Sequence, residues 1–190
     1  MTTCFNDPLN SPPLNFPLCV DLDGTFIDED VTQIALWKYL KENPEGVMNL
    51  LFWFLKGRAF LKKKLGQKVS IDVSELSYNP RVIALIQEAK DRGQQVVLAT
   101  AADGKIANEV ARHWGFFDRV IASDGFLNQR AGQKADTLVK AYGLHNFIYV
   151  GNSKDDLKVW QYAQRAIAVN VSSSVARKLK NLKVPSEILS

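Results

Sequence analysis

Five short apolar runs recur along the chain: PLCV (17–20), QVVLA (95–99), RVIA (119–122), NFIYV (146–150) and RAIAV (165–169). Each reads as a buried strand. Helical patterns fill the later intervals, at 80–93, 103–115, 132–143 and 153–164. The first three close on Gly93, Gly115 and Gly143, as helices often do. Strands alternating with helices predict an α/β fold, a Rossmann-like doubly wound parallel sheet covered on both faces. Reactive groups in such sheets collect at the carboxyl ends of the strands.

One interval breaks the alternation. From Glu29 to Ser77 no strand pattern occurs, and VTQIALWKYLKEN and GVMNLLFWFLKGRAFLKKKLG both read as helical. Asp30 or Thr32 serves as N-cap, and Pro44 with Gly46 separates the helices. The expected organisation is a core of residues 17–28 and 78–185 with a helical insertion at 29–77. A Pro/Asn/Ser-rich tail, residues 1–16, precedes it and is expected to be extended or disordered.

A length of 190 residues suits one domain with an insertion, and 46% apolar with 23% charged residues is ordinary for a soluble globule. The net charge of +4 is uneven. No Asp or Glu occurs from Gly46 to Val69, where Lys56, Arg58, Lys62, Lys63, Lys64 and Lys68 crowd together. Arg177, Lys178, Lys180 and Lys183 form a second basic patch. Such patches are either solvated helix faces or surfaces for phosphates and anionic lipid; nucleic acid is not expected as a partner. Cys4 and Cys19 make no disulfide framework, which fits a reducing compartment and a cytoplasmic setting. No classical signal peptide opens the chain. The run LLFWFL (50–55) is far short of the ~20 residues a membrane helix needs, although it could lie on a surface.

The candidate chemistry sits where the strands run out. The first strand leads into DLDGT, with Asp21 and Asp23, and VVLATAA supplies Thr100 and Ala101. Lys134 stands at the start of a helix, and GNSKDD supplies Asn152, Ser153, Asp155 and Asp156 on a glycine turn. A carboxylate at the edge of an apolar run is costly unless it is paired or used. A C-x5-R cysteine-phosphatase pattern is absent, and only His113 and His145 are present for a histidine-based metal site.

In order and spacing these four segments resemble the haloacid-dehalogenase (HAD) superfamily of phosphatases across residues 17–170. That resemblance implies a HAD-like core and an aspartyl-phosphate mechanism. Asp21 would be the nucleophile, and Asp23 the acid that protonates the leaving oxygen and then activates water. Thr100 and Ala101 would bind the phosphoryl group and Lys134 would neutralise it. Gly24 permits a sharp exit from the strand, and Thr25 would satisfy backbone groups of the turn. Two unit charges 4 Å apart repel by roughly 4 kcal/mol at an effective dielectric of about 20, so a cation must separate carboxylate from phosphate. Mg²⁺ is the expected cofactor, with Asp21, Asp23, Asn152 and Asp156 as its expected ligands. Asn152 departs from the superfamily's Asp at that position and removes one negative charge. Asn152 would also contact substrate.

Within the superfamily, YNP (78–80), LATAA (98–102), ASDG (122–125) and GNS (151–153) resemble the HAD-like domains that precede UbiA-type membrane prenyltransferases. Asn152 recurs in that subgroup. The pattern NQRAGQK, Asn128 to Lys134, departs from its N-x-K-G-x-x-K, with Arg130 keeping the charge. The resemblance implies more chain beyond the C-terminus, attached to a membrane. It also makes residues 29–77 a C1 cap that selects substrate. Trp37, Tyr39, Phe52, Trp53 and Phe54 either fill the space between cap helices, receive an aryl group such as phosphotyrosine, or face a membrane. The substrate expected is a phosphomonoester, carried on a small molecule or on a protein. A phosphomutase, or a catalytically weak HAD fold serving as a membrane- or partner-binding module, are the alternatives.

Overall fold

The five predicted strands form and a sixth joins them in the computed structural model, which describes residues 16–124 and 129–189. Nearly all of the expected tail, together with Gly125 and Asn128 of the two subgroup patterns, lies outside the described residues. β1 (Leu18–Val20), β2 (Val96–Asp103), β3 (Arg119–Ser123), β4 (Ile148–Gly151), β5 (Arg165–Val169) and β6 (Ser186–Leu189) make one sheet in the order β3-β2-β1-β4-β5-β6. Every neighbouring pair is parallel. The helices are α1 (Val31–Glu42), α2 (Val47–Leu55), α3 (Arg58–Lys68), α4 (Pro80–Asp91), α5 (Gly104–Trp114), α6 (Gly132–Tyr142), α7 (Leu157–Trp160) and α8 (Ser173–Lys180).

Side chains that alternate along β1 enter two different cores, which is why its sequence has no polar face. Leu18 and Val20 join Leu98, Ile106 and Val82 on one side of the sheet. Cys19 joins Leu138, Trp160 and Leu179 on the other. Burial pushes the Cys19 thiol pKa up and leaves it protonated and unreactive. Val20 pairs with Leu98 on one side and Val150 on the other, so β1 is the strand from which the chain winds in both directions. Crevices in such sheets open beyond that switch point.

Two features depart from the expected pattern. The helix expected at 153–164 shrinks to α7 because the turn before it winds around the Asp156 carboxylate. β6 lies beyond the expected strands and extends the sheet past residue 185, while α8 carries Arg177, Lys178 and Lys180 on a helix, one of the two readings of that basic patch. SEIL alternates exposed and half-buried residues, as suits an edge strand, and presents no apolar run.

Between β1 and α4 the chain forms α1, α2 and α3, and α3 approaches the carboxyl end of β2. Lys62 Nζ donates to the Ala101 carbonyl at 2.6 Å, and Lys105 Nζ to that of Gly66 at 3.0 Å. A Cβ on Gly66 would lie 2.6 Å from Asp103 Oδ1, so this approach depends on glycine. Among the described residues no helix is long and apolar enough to cross a membrane.

Candidate active site

Asp21 is the first residue past β1, and its N–H donates to the Val150 carbonyl at 3.0 Å, extending the β4 ladder by one step. The chain then turns. Phe26 N–H donates to Leu22 O at 3.0 Å, Asp28 N–H to Ser77 O at 2.9 Å and Asn79 N–H to Phe26 O at 2.9 Å. Phe26 is fully buried beneath this turn among the rings of Tyr78, Trp114 and Phe117. The YNP segment is therefore structural here: Asn79 also caps α4 by accepting from Arg81 and Val82 N–H. Thr25 does not satisfy the turn as expected, since its buried Oγ1 has no hydrogen-bond partner.

Lys134, from the first turn of α6, is 3% exposed, and its Nζ donates to Asp21 Oδ1 at 2.7 Å and to the Tyr149 hydroxyl at 2.8 Å. That hydroxyl donates in turn to Asp156 Oδ1 at 2.9 Å. Asp156 Oδ2 accepts from the N–H groups of Asn152 and Ser153 at 3.1 and 2.9 Å, and from Ser153 Oγ at 2.7 Å. Asp156 thus commits both oxygens to protein donors. In this geometry it shapes the Asn152–Ser153 turn and still lines the cavity.

Electrostatics bind the cluster together. Burial raises the pKa of the Asp21 carboxyl, while Lys134 acts against that rise and Asp156 adds to it. Burial alone would lower Lys134, but the carboxylates of Asp21 and Asp156 outweigh it and hold the ammonium above its usual range. Burial, followed by the charge of Asp156, raises Tyr149 far enough to keep its hydroxyl neutral. Asp23 is pushed up to about 7 by burial and then by the Asp30 carboxylate, although Val31 N–H, at the start of α1, donates to its Oδ1 at 2.8 Å. A carboxyl poised there can both give and take a proton near neutrality.

A cavity of about 520 Å³ opens over this cluster. Asp21, Asp23, Ala101, Lys134, Asn152 and Asp156 all line it, so six expected site residues meet in one place. Thr100 is not in that wall. The β2–β3 register shifts between Ala99 and Asp103, and within this irregularity Thr100 Oγ1 accepts the Ala102 N–H at 2.9 Å. Thr100 is fully buried, and Ala101 faces the cavity instead.

Several wall residues lie outside the strand-end motifs, and among them Phe54 is one of the aromatics expected either to pack between cap helices, to receive an aryl group or to face a membrane. Phe54, Arg58, Leu61 and Lys62 come from α2 and α3. Lys62 belongs to a basic run in which nothing marks it apart from its neighbours. Burial lowers its pKa against the opposing pull of the Asp23, Asp30 and Asp21 carboxylates. Tyr149 was equally missed, although one hydroxyl in the otherwise apolar NFIYV is a visible signal. Arg130 forms an ion pair with Asp155 at the cavity edge, which gives that extra acid a partner.

The donor set can be tested for Mg²⁺. Among the described residues no three His, Cys, Asp or Glu side chains converge as a protein cage. Mg²⁺ does not require one, because it keeps waters and takes one or two carboxylates together with substrate oxygens. Asn152 Oδ1 is buried at the cavity and has no hydrogen-bond partner, a costly state that a cation would relieve. Together with the Asp21 carboxylate in the same wall, it supplies oxygen donors of the kind such an ion takes.

No protein-family model matches the chain. The uncharacterized protein y4nM of Sinorhizobium fredii (strain NBRC 101917 / NGR234) is 33% identical over 174 residues, which cover 92% of this chain. The match is 34% of that relative's length, so the chain spans about a third of it. Among solved structures, a HAD family hydrolase of Salmonella enterica serovar Typhi superposes with a TM-score of 0.64 at 13% identity, covering 90% of this chain and 68% of that one. A phospho-aspartyl intermediate analogue of phosphoserine phosphatase gives 0.58 at 16% identity, covering 92% of each chain. With its six-stranded parallel sheet and flanking helices, the chain has the Rossmann-like α/β fold of the HAD hydrolases.

Proposed function

We propose that the chain is a Mg²⁺-dependent phosphomonoester hydrolase acting through an aspartyl phosphate on Asp21. The contact that carries this reading is the 2.7 Å bond from buried Lys134 to Asp21 Oδ1, at the foot of a cavity that also holds Asp23 and the unpartnered Asn152 oxygen. Lys134 keeps Asp21 ionised and leaves Oδ2 to attack phosphorus. As the new P–O bond forms, the bond to the leaving oxygen breaks and Asp23 gives that oxygen its proton. Asp23, now a carboxylate, takes a proton from water, whose oxygen attacks the same phosphorus. The bond to Asp21 then breaks and phosphate is released. Asp21, the Asp23 carbonyl and Asn152 would hold Mg²⁺, which would offset phosphate charge and polarise its oxygens. Ala101 N–H and Lys134 would meet the phosphoryl oxygens, while Tyr149 and Asp156 position the lysine and the turn.

Residues 29–77 act in this reading as a C1 cap, with α3 tied to β2 through Lys62. Phe54 and Leu61 give the cavity an apolar wall, which favours an aryl phosphate over a small hydrophilic one. The similarity to a phosphoserine phosphatase intermediate analogue supports the covalent route. The test is hydrolysis of p-nitrophenyl phosphate with and without Mg²⁺. Activity should need the metal and vanish in Asp21→Asn, while Asp23→Asn should release a stoichiometric burst and then stall. Metal-independent turnover, or an active Asp21→Asn, would overturn the reading.

A further inference from the structure

One surface is used by neither the fold nor the cavity. On α2, Met48, Leu51, Phe52 and Leu55 are 72%, 53%, 54% and 75% exposed. Their spacing of i, i+3, i+4, i+7 puts them in one stripe along the helix. Trp53 is the α2 side chain that turns inward, where it meets Tyr39. Water-facing monomers rarely leave such a stripe uncovered. The helix itself, VMNLLFWFL, contains no charge, but cations border it. Lys56, its C-cap, lies 4.5 Å from the Phe52 ring and 5.3 Å from that of Phe60. Lys64 lies 5.5 Å from the Phe60 ring. Arg58 and Lys68 are exposed on α3. No carboxylate pairs with any of these four cations among the described residues, and the sequence places no acid between Gly46 and Val69.

We infer that the α2–α3 corner docks on an anionic bilayer surface, with the stripe in the headgroup–acyl boundary and Lys56 and Lys64 at the level of lipid phosphates. Apolar residues flanked by cations match that interface on both counts. At nine residues α2 can lie in the boundary and cannot span it. Charge argues against a second copy of the chain as the occupant, because a two-fold contact would set each basic rim against its own image. Phe54 and Arg58 belong both to this corner and to the cavity wall, so docking would bring the cavity mouth to the lipid surface. The inference does not depend on the catalytic reading and is tested without an activity assay.

The experiment is sedimentation of the full chain with vesicles of phosphatidylcholine, alone or mixed with phosphatidylserine, at low and high salt. Binding is expected on the mixed vesicles at low salt, with release by salt. Lys56→Glu/Lys64→Glu should weaken it by at least about fivefold per cation removed. Met48→Ser/Leu51→Ser/Phe52→Ser/Leu55→Ser should abolish it. These positions are exposed or half-exposed, and circular dichroism is the check that each variant is folded. The inference is overturned by no binding to mixed vesicles, by equal binding to neutral ones, or by folded variants that bind like the parent. It is equally overturned if the serine variant disperses a dimer seen by sedimentation velocity while the parent ignores vesicles.

Discussion

A Cβ placed on Gly24 would fall 2.0 Å from Nδ2 of Asn152. The turn after β1 and the turn after β4 interlock at that point, and Gly24 holds a φ of +71°, which side chains rarely adopt. Gly24→Ala is therefore expected to cost about 1–3 kcal/mol in backbone strain alone. It should also drive the Asn152 amide away from the cavity. Urea unfolding should show the stability loss, and p-nitrophenyl phosphate turnover should fall by about two orders of magnitude or more, as when a single positioning interaction is misplaced. Near-normal activity would mean that Asn152 has no part in the chemistry.

Lys134 compensates two buried carboxylates at once. Lys134→Met should destabilise the chain by about 3–5 kcal/mol, since it leaves Asp21 and Asp156 facing each other without a cation. Asp21→Asn/Lys134→Met should be less destabilised than the sum of its single substitutions, because removing one charge relieves the other. Chemical denaturation of the four proteins measures this coupling. Strict additivity would mean that the pair is energetically independent despite its 2.7 Å contact.

Asn152→Asp would put a negative charge where an amide oxygen now has no partner. Calorimetric titration should show Mg²⁺ binding several-fold more tightly in this variant, because ion affinity rises with ligand charge. Its metal-free form should melt lower than the parent, with one more carboxylate beside Asp21 and Asp23. Unchanged affinity would remove residue 152 from the ligand set.

Asp103 caps α5 by accepting the Lys105 N–H at 3.0 Å. Burial raises its pKa, and Glu109 adds to that rise. The Lys105 hydrogen bond and the charges of Lys105 and Lys63 oppose it without cancelling it. A raised folded-state pKa means that its stabilising contribution is complete below the unfolded value of about 4 and is lost as pH climbs through the folded value. Asp103→Asn retains the accepting oxygen and does not titrate. Melting temperatures from pH 4 to pH 7 should therefore shift progressively in the variant's favour. A constant offset would show that Asp103 titrates in the folded chain as it does unfolded.

The alternation of apolar runs and helical patterns by itself determined the sheet, its parallel sense and the strand ends at which Asp21, Asp23, Lys134 and Asn152 meet. These are properties of periodicity and order, which the chain carries locally. It could not reveal β6, an edge strand with no fully buried side chain, or α8, whose buried Val175 and Leu179 pack against residues distant in sequence. The side to which each polar group turns was also decided in three dimensions. Thr100 Oγ1 accepts from Ala102 inside a register shift, Asp156 braces its own turn, and Tyr149 bridges Lys134 to Asp156. Lys62 and Phe54 entered the cavity wall because α2 and α3 fold back over β2, and no spacing records that return. Residue types and their order tell which groups arrive at the sheet edge. Only packing tells which of their lone pairs and protons remain for a substrate once each neighbour has taken its share.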